Sequence, residues 1–170
     1  MKSCSHDHNL ELGEDAVNHV IDLLKKYGFS ILRNDLAIEF TNSKQRFDGF
    51  IVRRGKDTAY LAEVKGKELD RFKKWVDKGL YDGYYEIAIP LLYFVWIKEN
   101  DKIYWHEITN PESFKAIDYA GTQVYLIPTE IIHEVESNDD LLLVICRPAK
   151  YLERDITRPL KHAFEKMKRR

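Results

Sequence analysis

Cysteine and long apolar runs are both scarce in this sequence, and each scarcity excludes a class of protein. Only two of the 170 residues are cysteines, Cys4 and Cys146, which excludes a disulfide framework and is typical of a reducing compartment. The most apolar stretch, 87–97, is too short to span a bilayer and contains Pro90. The N-terminus has no apolar signal core. We therefore expect a soluble, intracellular protein of the cytoplasm that does not enter the membrane.

Signatures of nucleotide and zinc binding are also missing. The sequence contains no Walker loop and no GxGxxG, so we expect no nucleotide cofactor. Cys4, His6 and His8 lack a second ligand cluster at the spacing of structural zinc sites. We interpret residues 1–10 as a flexible polar tail, with metal binding by these three side chains left as an open alternative. With 44% hydrophobic residues, 11–170 can form a single domain with its own core.

The chain as a whole has little net charge, but one segment is strongly basic. The formal net charge is -1, so a polyanionic partner would have to bind a local patch. Between residues 44 and 74 there are ten Lys or Arg and five Asp or Glu, a local charge of 10 - 5 = +5. Attraction of phosphate is one use of such a patch, and a solvated surface is the alternative. The candidate nucleic-acid contacts are Arg46, Arg53, Arg54, Lys67, Lys73 and Lys74.

Hydrophobic spacing predicts an α/β protein with a mixed sheet. The first half is expected to contain a helix at 12–27, strands at 29–33, 47–52 and 58–64, a helix at about 68–83, and a buried strand at 91–97. The second half is expected to contain strands at 103–108, 122–127 and 141–145, a short helix at 129–136 and a terminal helix at 159–169. A hairpin supplies antiparallel pairing, and the second helix is long enough to cross over to a parallel strand.

Three residues of the predicted hairpin can carry chemistry. Because side chains alternate along a strand, Glu63 and Lys65 share a face, and burying them is costly unless they are paired or used. The hairpin brings the end that carries Asp48 close to the end that carries Glu63. Two carboxylates can hold a hard divalent cation such as Mg²⁺, and a neighbouring lysine can stabilise negative charge on a phosphate. The alternative is a solvated ion pair on a surface hairpin.

The order of these features resembles a known group of enzymes. Asp48, fourteen intervening residues and Glu63-Val64-Lys65 follow a helix with an early Glu14 and precede a second helix. This pattern is similar to the PD-(D/E)XK nuclease superfamily, in particular its archaeal Holliday-junction-resolvase-like branch. The resemblance implies a restriction-endonuclease-like αβββαβ core, with a mixed central sheet flanked by helices. The later strands and the terminal helix would be additions to that core.

The resemblance also implies roles and an activity. Asp48 and Glu63 would be the metal ligands, Lys65 the catalytic lysine, and Glu14 a helix-borne catalytic acid. The implied function is a Mg²⁺-dependent DNA endonuclease in which Mn²⁺ can substitute, acting in repair, recombination or restriction, including on junctions or branched DNA, in a prokaryotic or viral setting. Because one site cuts one strand, cutting both strands symmetrically calls for a homodimer. Two alternatives stay open, namely a catalytically silent nucleic-acid-binding module and an RNA-directed nuclease.

Overall fold

A computed structural model describes residues 4–40, 46–54, 59–68, 75–87 and 90–137, with the backbone alone described at 4–9, 46 and 54. The first half of the chain comprises α1 (Cys4–Lys26), β1 (Phe29–Glu39), β2 (Arg46–Arg54), β3 (Tyr60–Lys67), β4 (Trp75–Asp77), α2 (Lys78–Glu86) and β5 (Leu91–Ile97). The second half comprises β6 (Lys102–Glu107), β7 (Lys115–Tyr119), β8 (Thr122–Leu126) and β9 (His133–Glu134). Single 3-10 turns lie at Pro111–Ser113 and Thr129–Ile131.

The strands of the described residues form two sheets. The larger has six strands in the order β1-β2-β3-β5-β6-β9, and the smaller has three in the order β4-β8-β7. Strands β3 and β5 are parallel, whereas the other pairs of the larger sheet are antiparallel. The structure therefore confirms a mixed α/β fold, the hairpin of β2 and β3, and a crossover to a parallel strand.

Helix α1 covers one face of the larger sheet. Its buried residues follow helical spacing and pack on alternate residues of the central strands. It ends at Lys26, and Gly28 then adopts a φ of 82°, a conformation that glycine tolerates best. A Cβ at Gly66 of β3 would lie 2.7 Å from the backbone oxygen of Leu12, so α1 approaches this strand closely. The helix side of this core is formed by Leu12, Ala16, Val20, Ile21 and Leu24.

The opposite face of the larger sheet is covered by α2 and the smaller sheet. Tyr81 and Tyr84 of α2 and Val76 and Tyr125 of the smaller sheet belong to this second core cluster. Along β3 the two cores alternate, because Tyr60, Ala62 and Val64 join the α1 core and Leu61 joins the α2 core. The face of β3 that carries Glu63 and Lys65 is therefore the α2 face.

The structure corrects several predicted elements. The first helix begins at Cys4 rather than at residue 12, so residues 4–10, predicted as a tail, are helical. The predicted helix at 68–83 is wrong over 75–77, which forms β4 and pairs with β8. The Asp77 carboxylate accepts a hydrogen bond from the Leu80 backbone at 2.9 Å, so α2 begins only after this cap. Residues 69–74 lie outside the described part of the chain.

In the second half, extra strands after β5 were predicted and are present, but their pattern differs. The predicted helix at 129–136 is a single 3-10 turn followed by β9, which pairs with the edge of β6. Strand β7 was not predicted, because four of its five residues are exposed and it lacks a strong apolar alternation. The predicted strand at 141–145, the terminal helix at 159–169 and Cys146 lie outside the described residues.

Candidate functional site

Glu63 is buried in the middle of the larger sheet and is paired with Lys65. The Lys65 ammonium forms an ion pair with Oε1 of Glu63; the carboxylate side chain is 1% exposed and the lysine side chain 37%. Both side chains emerge on the α2 face, as the period of a strand predicted. The alternative of a solvated ion pair on a surface hairpin is therefore wrong for Glu63, whose carboxylate lies out of contact with bulk water.

Burial makes the charge of Glu63 costly. Desolvation raises the pKa of the Glu63 carboxyl, and the charge and hydrogen bond of Lys65 oppose this rise. The backbone N–H of Asp48 also donates to this carboxylate and lowers its pKa. The second oxygen, Oε2, is buried, and a hydrogen bond from the Tyr84 side chain lowers the pKa of the same carboxyl. Lys65, the Asp48 N–H and Tyr84 thus all oppose the effect of burial on Glu63.

Asp48 lies beside Glu63 through its backbone, but its side chain leaves from the other face. Its neighbours Phe47 and Ile51 pack in the α2 core, whereas Phe50 and Val52 pack in the α1 core, so alternation places Asp48 on the α1 face. The Asp48 side chain is exposed. The structure therefore brings the Asp48 backbone to Glu63 without placing the two carboxylates on one face.

The two strands separate at this point. The β2–β3 pairing runs from Val52 opposite Tyr60 to Phe50 opposite Ala62. A Cβ at Gly49 would lie 2.2 Å from the Ala62 oxygen and 2.5 Å from the Phe47 ring, so only glycine permits the close approach found there. Asp48 thus lies two residues before Phe50, at which the β2–β3 pairing ends. Next to it is a cleft of about 310 Å³, lined by Val17, Asn34, Asp35, Leu36, Asp48, Gly49, Phe50 and Val64.

Glu14 lies on the other side of the sheet from the Glu63 side chain. It is exposed on α1, and α1 packs on the face of the sheet opposite to Glu63. Of the predicted nucleic-acid contacts, Arg53 is exposed at the end of β2, and Lys67 is half-buried on β3. The side chains of Arg46 and Arg54 and all of Lys73 and Lys74 lie outside the described residues. The predicted role of Glu14 has no support in this placement.

Tyr93 and His106 extend the site across the sheet, which the sequence analysis missed. Tyr93 of β5 lies opposite Glu63, and His106 of β6 lies opposite Tyr93. Both are 2% exposed, and their rings are 5.2 Å apart. Burial lowers the pKa of His106 to about 3, with His133 adding to the effect, and Nε2 of His106 is buried without a partner. The registers of β5 and β6 create this row, and no local motif indicates it.

Tyr84 of α2 closes the site over Glu63. Burial, and next the negative charge of Glu63, raises the pKa of Tyr84. Its hydroxyl is buried like Oε2 of Glu63, and its hydrogen bond to Glu63 lowers the pKa of that carboxyl. The Tyr84 ring makes edge contacts with Phe40 and Phe47, which fix its position. Glu63 is therefore surrounded by aromatic groups on the α2 side.

Lys67 continues the charged side of β3 beyond Lys65. Burial, and then the charge of Lys65, lowers the pKa of Lys67. Its ammonium lies 4.9 Å from the centre of the Trp75 ring on β4. Glu63, Lys65 and Lys67 share a face because they are two residues apart. The α2 face of β3 thus carries one acid followed by two basic groups.

Within the described residues, no group of three or more His, Cys, Asp or Glu side chains could hold a metal ion. In the same part of the chain, no helix combines the length and the apolar character needed to cross a membrane. Comparison with family models, with curated proteins and with solved structures found no match to this chain.

Proposed function

We propose that this protein is a Mg²⁺-dependent nuclease that hydrolyses DNA phosphodiester bonds at Glu63 and Lys65. The observation that carries the proposal is the buried carboxylate of Glu63 with Lys65 two residues away on the same face of β3. A buried acid raises the energy of the folded state unless a partner compensates its charge. An acid and a lysine held in this way suit a reaction on a charged phosphate.

The donor set fits a hard divalent cation in part. Oε2 of Glu63 supplies a buried carboxylate oxygen, which is the ligand type that Mg²⁺ prefers, although the Tyr84 hydroxyl competes for this carboxylate. Asp48 would be the second ligand, because its backbone already contacts Glu63 at the point where β2 and β3 separate. Its side chain would have to turn from the α1 face into that opening. When bound there, the cation would activate a water molecule and neutralise charge on the phosphate.

The protein side chains have separate roles in the proposed reaction. Glu63 is fixed by Lys65, the Asp48 N–H and the Tyr84 hydroxyl, so its carboxylate keeps one direction. Lys65 is 37% exposed, so its ammonium reaches solvent on one side while it contacts Glu63 on the other. A phosphate arriving from solvent would meet this ammonium, which would stabilise the negative charge of the transition state. Tyr84 and Tyr93 exclude water from behind the carboxylate.

The order of elements supports the same proposal. A helix, three strands, a further helix and a strand parallel to β3 follow one another, interrupted only by β4 within the described residues. This order is the one expected for a restriction-endonuclease-like core, and Asp48 and Glu63 fall on its second and third strands. The specificity for DNA, the homodimer and the pathways of repair, recombination or restriction are parts of the proposal that follow from the resemblance.

One observation favours a second candidate, a nucleic-acid-binding module without activity. Asp48 and Glu63 leave β2 and β3 on opposite faces, so the pair would have to rearrange before sharing a cation. In this case the basic side chains would bind phosphate, and the Glu63–Lys65 pair would serve only the fold. This module would bind nucleic acid equally well with and without a divalent cation.

Cleavage of a panel of labelled substrates separates the two candidates. Duplex, single-stranded, flap and junction DNA, together with an RNA strand, are incubated with Mg²⁺, Mn²⁺ or EDTA. The nuclease proposal predicts cation-dependent cutting of at least one DNA substrate and none in EDTA. Binding without cutting of any substrate would reject the nuclease, and exclusive cutting of RNA would reject the DNA specificity. Lys98→Met, in an exposed turn, is a control that should cut at the wild-type rate.

A further inference from the structure

We infer that Trp75 and Tyr119 form a stacking platform for an unpaired base of the DNA strand bound at Lys65 and Lys67. This inference deepens the proposed function and depends on it for the identity of the strand. It assigns a substrate class, namely DNA with unpaired nucleotides beside the scissile phosphate. It also assigns a role to the smaller sheet, which carries both aromatic residues.

The platform is a pair of neighbouring rings on β4 and β7. The centres of the Trp75 and Tyr119 rings are 5.1 Å apart, and their planes are tilted by 38°. Tyr119 is 46% exposed, although large aromatic side chains are usually covered. Among the described residues, the exposed large hydrophobic side chains are Leu10, Leu32 and Tyr119, so Tyr119 is the aromatic one. Tyr119 therefore exposes part of its surface to solvent.

Lys67 joins this platform to the proposed reaction site. Its ammonium contacts the face of Trp75, and it shares a strand face with Lys65 and Glu63. From the rise of a strand, Lys65 and Lys67 are about 7 Å apart along β3. A strand with one phosphate at Lys65 could therefore place a following phosphate at Lys67 and the adjoining base on the exposed part of Tyr119, which packs against Trp75.

The chemistry of the surface selects for single-stranded nucleic acid. A positive groove follows the phosphates, and aromatic rings stack on bases, which is the recurring combination in proteins that bind single strands. The pKa of Lys67 is lowered by burial and by Lys65, so a phosphate would relieve an existing cost. In duplex DNA the base faces are already stacked and cannot reach the rings.

The test is the binding of the full-length protein, in EDTA, to two labelled oligomers of equal length. One is oligothymidylate, and the other has the same backbone with abasic positions. Wild type should bind oligothymidylate more tightly. Tyr119→Ala should lose about tenfold or more of its affinity for oligothymidylate, with little change for the abasic oligomer. Tyr119→Phe, which keeps the ring, should retain the wild-type affinity.

Leu32→Ala is the matched control, because Leu32 is 49% exposed on the edge strand β1, which β2 separates from β3. It should bind both oligomers as wild type does. An equal loss on both oligomers in Tyr119→Ala, or no loss on either, would overturn the platform. Concentration-dependent dimerisation that Tyr119→Ala abolishes would also overturn it, because the rings would then belong to an interface between two copies of the chain.

The failure of the platform and that of the nuclease are distinguishable. If Tyr119→Ala cuts DNA with Mg²⁺ but binds oligothymidylate like wild type, the nuclease stands and the platform is rejected. If wild type cuts nothing but discriminates between the oligomers through Tyr119, the platform stands and the nuclease is rejected. Thermal unfolding of each variant verifies that the changes in binding do not come from loss of the fold.

Discussion

Glu63 and Lys65 form an ion pair on one face of β3 in which the acid is almost wholly buried and the base reaches solvent. The two partners therefore carry different costs. The carboxylate loses its hydration, whereas the ammonium keeps part of its own. Removing one partner should for this reason not have the same effect on stability as removing the other.

Glu63→Gln should abolish cation-dependent cleavage and raise the melting temperature at neutral pH. Burial raises the pKa of Glu63 above its ordinary 4.5. The stability of the protonated form is thus fully present below pH 4.5 and is lost as the pH rises through the raised pKa. Glutamine keeps the neutral form at every pH. Each 1 kcal/mol added to the free energy of unfolding corresponds to an increase of about 2–4 °C in the melting temperature.

The difference in melting temperature between Glu63→Gln and wild type should shrink as the pH falls towards 4.5, where Glu63 of wild type is itself protonated. Thermal unfolding of both proteins between pH 4.5 and 8 measures this difference. Glu99→Gln, at an exposed turn, is the control and should follow wild type throughout. A variant that is less stable than wild type at pH 7.5 would show that the ionised carboxylate stabilises the fold, against this account.

Lys65→Met should destabilise the protein at neutral pH, opposite in sign to Glu63→Gln. It keeps most of the lysine stem but leaves the buried Glu63 charge without its partner, at a cost of roughly 1–3 kcal/mol. Cleavage should fall about 10²–10³-fold, because a group that stabilises the transition state is lost. The pKa of Glu63 should rise further, so the loss of stability should diminish at acidic pH. Urea unfolding at two pH values and single-turnover cleavage measure these effects.

His106 should make the fold sensitive to acid. Its pKa falls from 6.5 to about 3 in the folded state because the ring is buried. A depressed pKa stabilises the fold above 6.5, and that contribution is lost as the pH falls from 6.5 towards 3. The free energy of unfolding should then fall by up to about 1.4 kcal/mol for each pH unit. His106→Phe should flatten this dependence of the melting temperature on pH, whereas His133→Gln, which removes only the smaller cause of the shift, should retain most of it.

Gly49→Ala should destabilise the protein and reduce cleavage together. The added Cβ would meet the Ala62 oxygen at 2.2 Å and the Phe47 ring at 2.5 Å, so β2 must shift next to Asp48. We expect a cost of about 1–3 kcal/mol. Gly13→Ala is the matched control, since nothing lies within 4 Å of its added Cβ, and it should stabilise α1 by up to about 1 kcal/mol. Chemical denaturation of both variants tests the contrast.

Elements with a strong apolar pattern of their own could be predicted from the sequence. Strand β5 was predicted at its observed bounds because all its residues are apolar, and the shared face of Glu63 and Lys65 followed from the period of a strand. The beginning of α2 was missed because Trp75 and Val76 fit an amphipathic helix as well as a strand. Only pairing with β8, which comes much later in the chain, decides between the two.

The candidate site divides in the same way. Glu63 and Lys65 are neighbours on one strand, so the sequence could predict their contact. Tyr84, Tyr93 and His106 come together through the register of β5 and β6 and the packing of α2, which no short motif encodes. The face of β2 on which the Asp48 side chain lies depends on which residues of the strand face the α1 core and which face the α2 core, and the sequence did not predict this.

Calorimetric titration of Mn²⁺ into the protein tests most directly whether Glu63 is a cation ligand or only half of a structural ion pair. Wild type should bind the cation more tightly at pH 8 than at pH 5, because binding requires the ionised form of a carboxyl whose pKa is raised. Asp48→Asn should weaken binding, and Glu63→Gln should abolish it while the fold stays intact. Undiminished Mn²⁺ binding by Glu63→Gln would contradict the account.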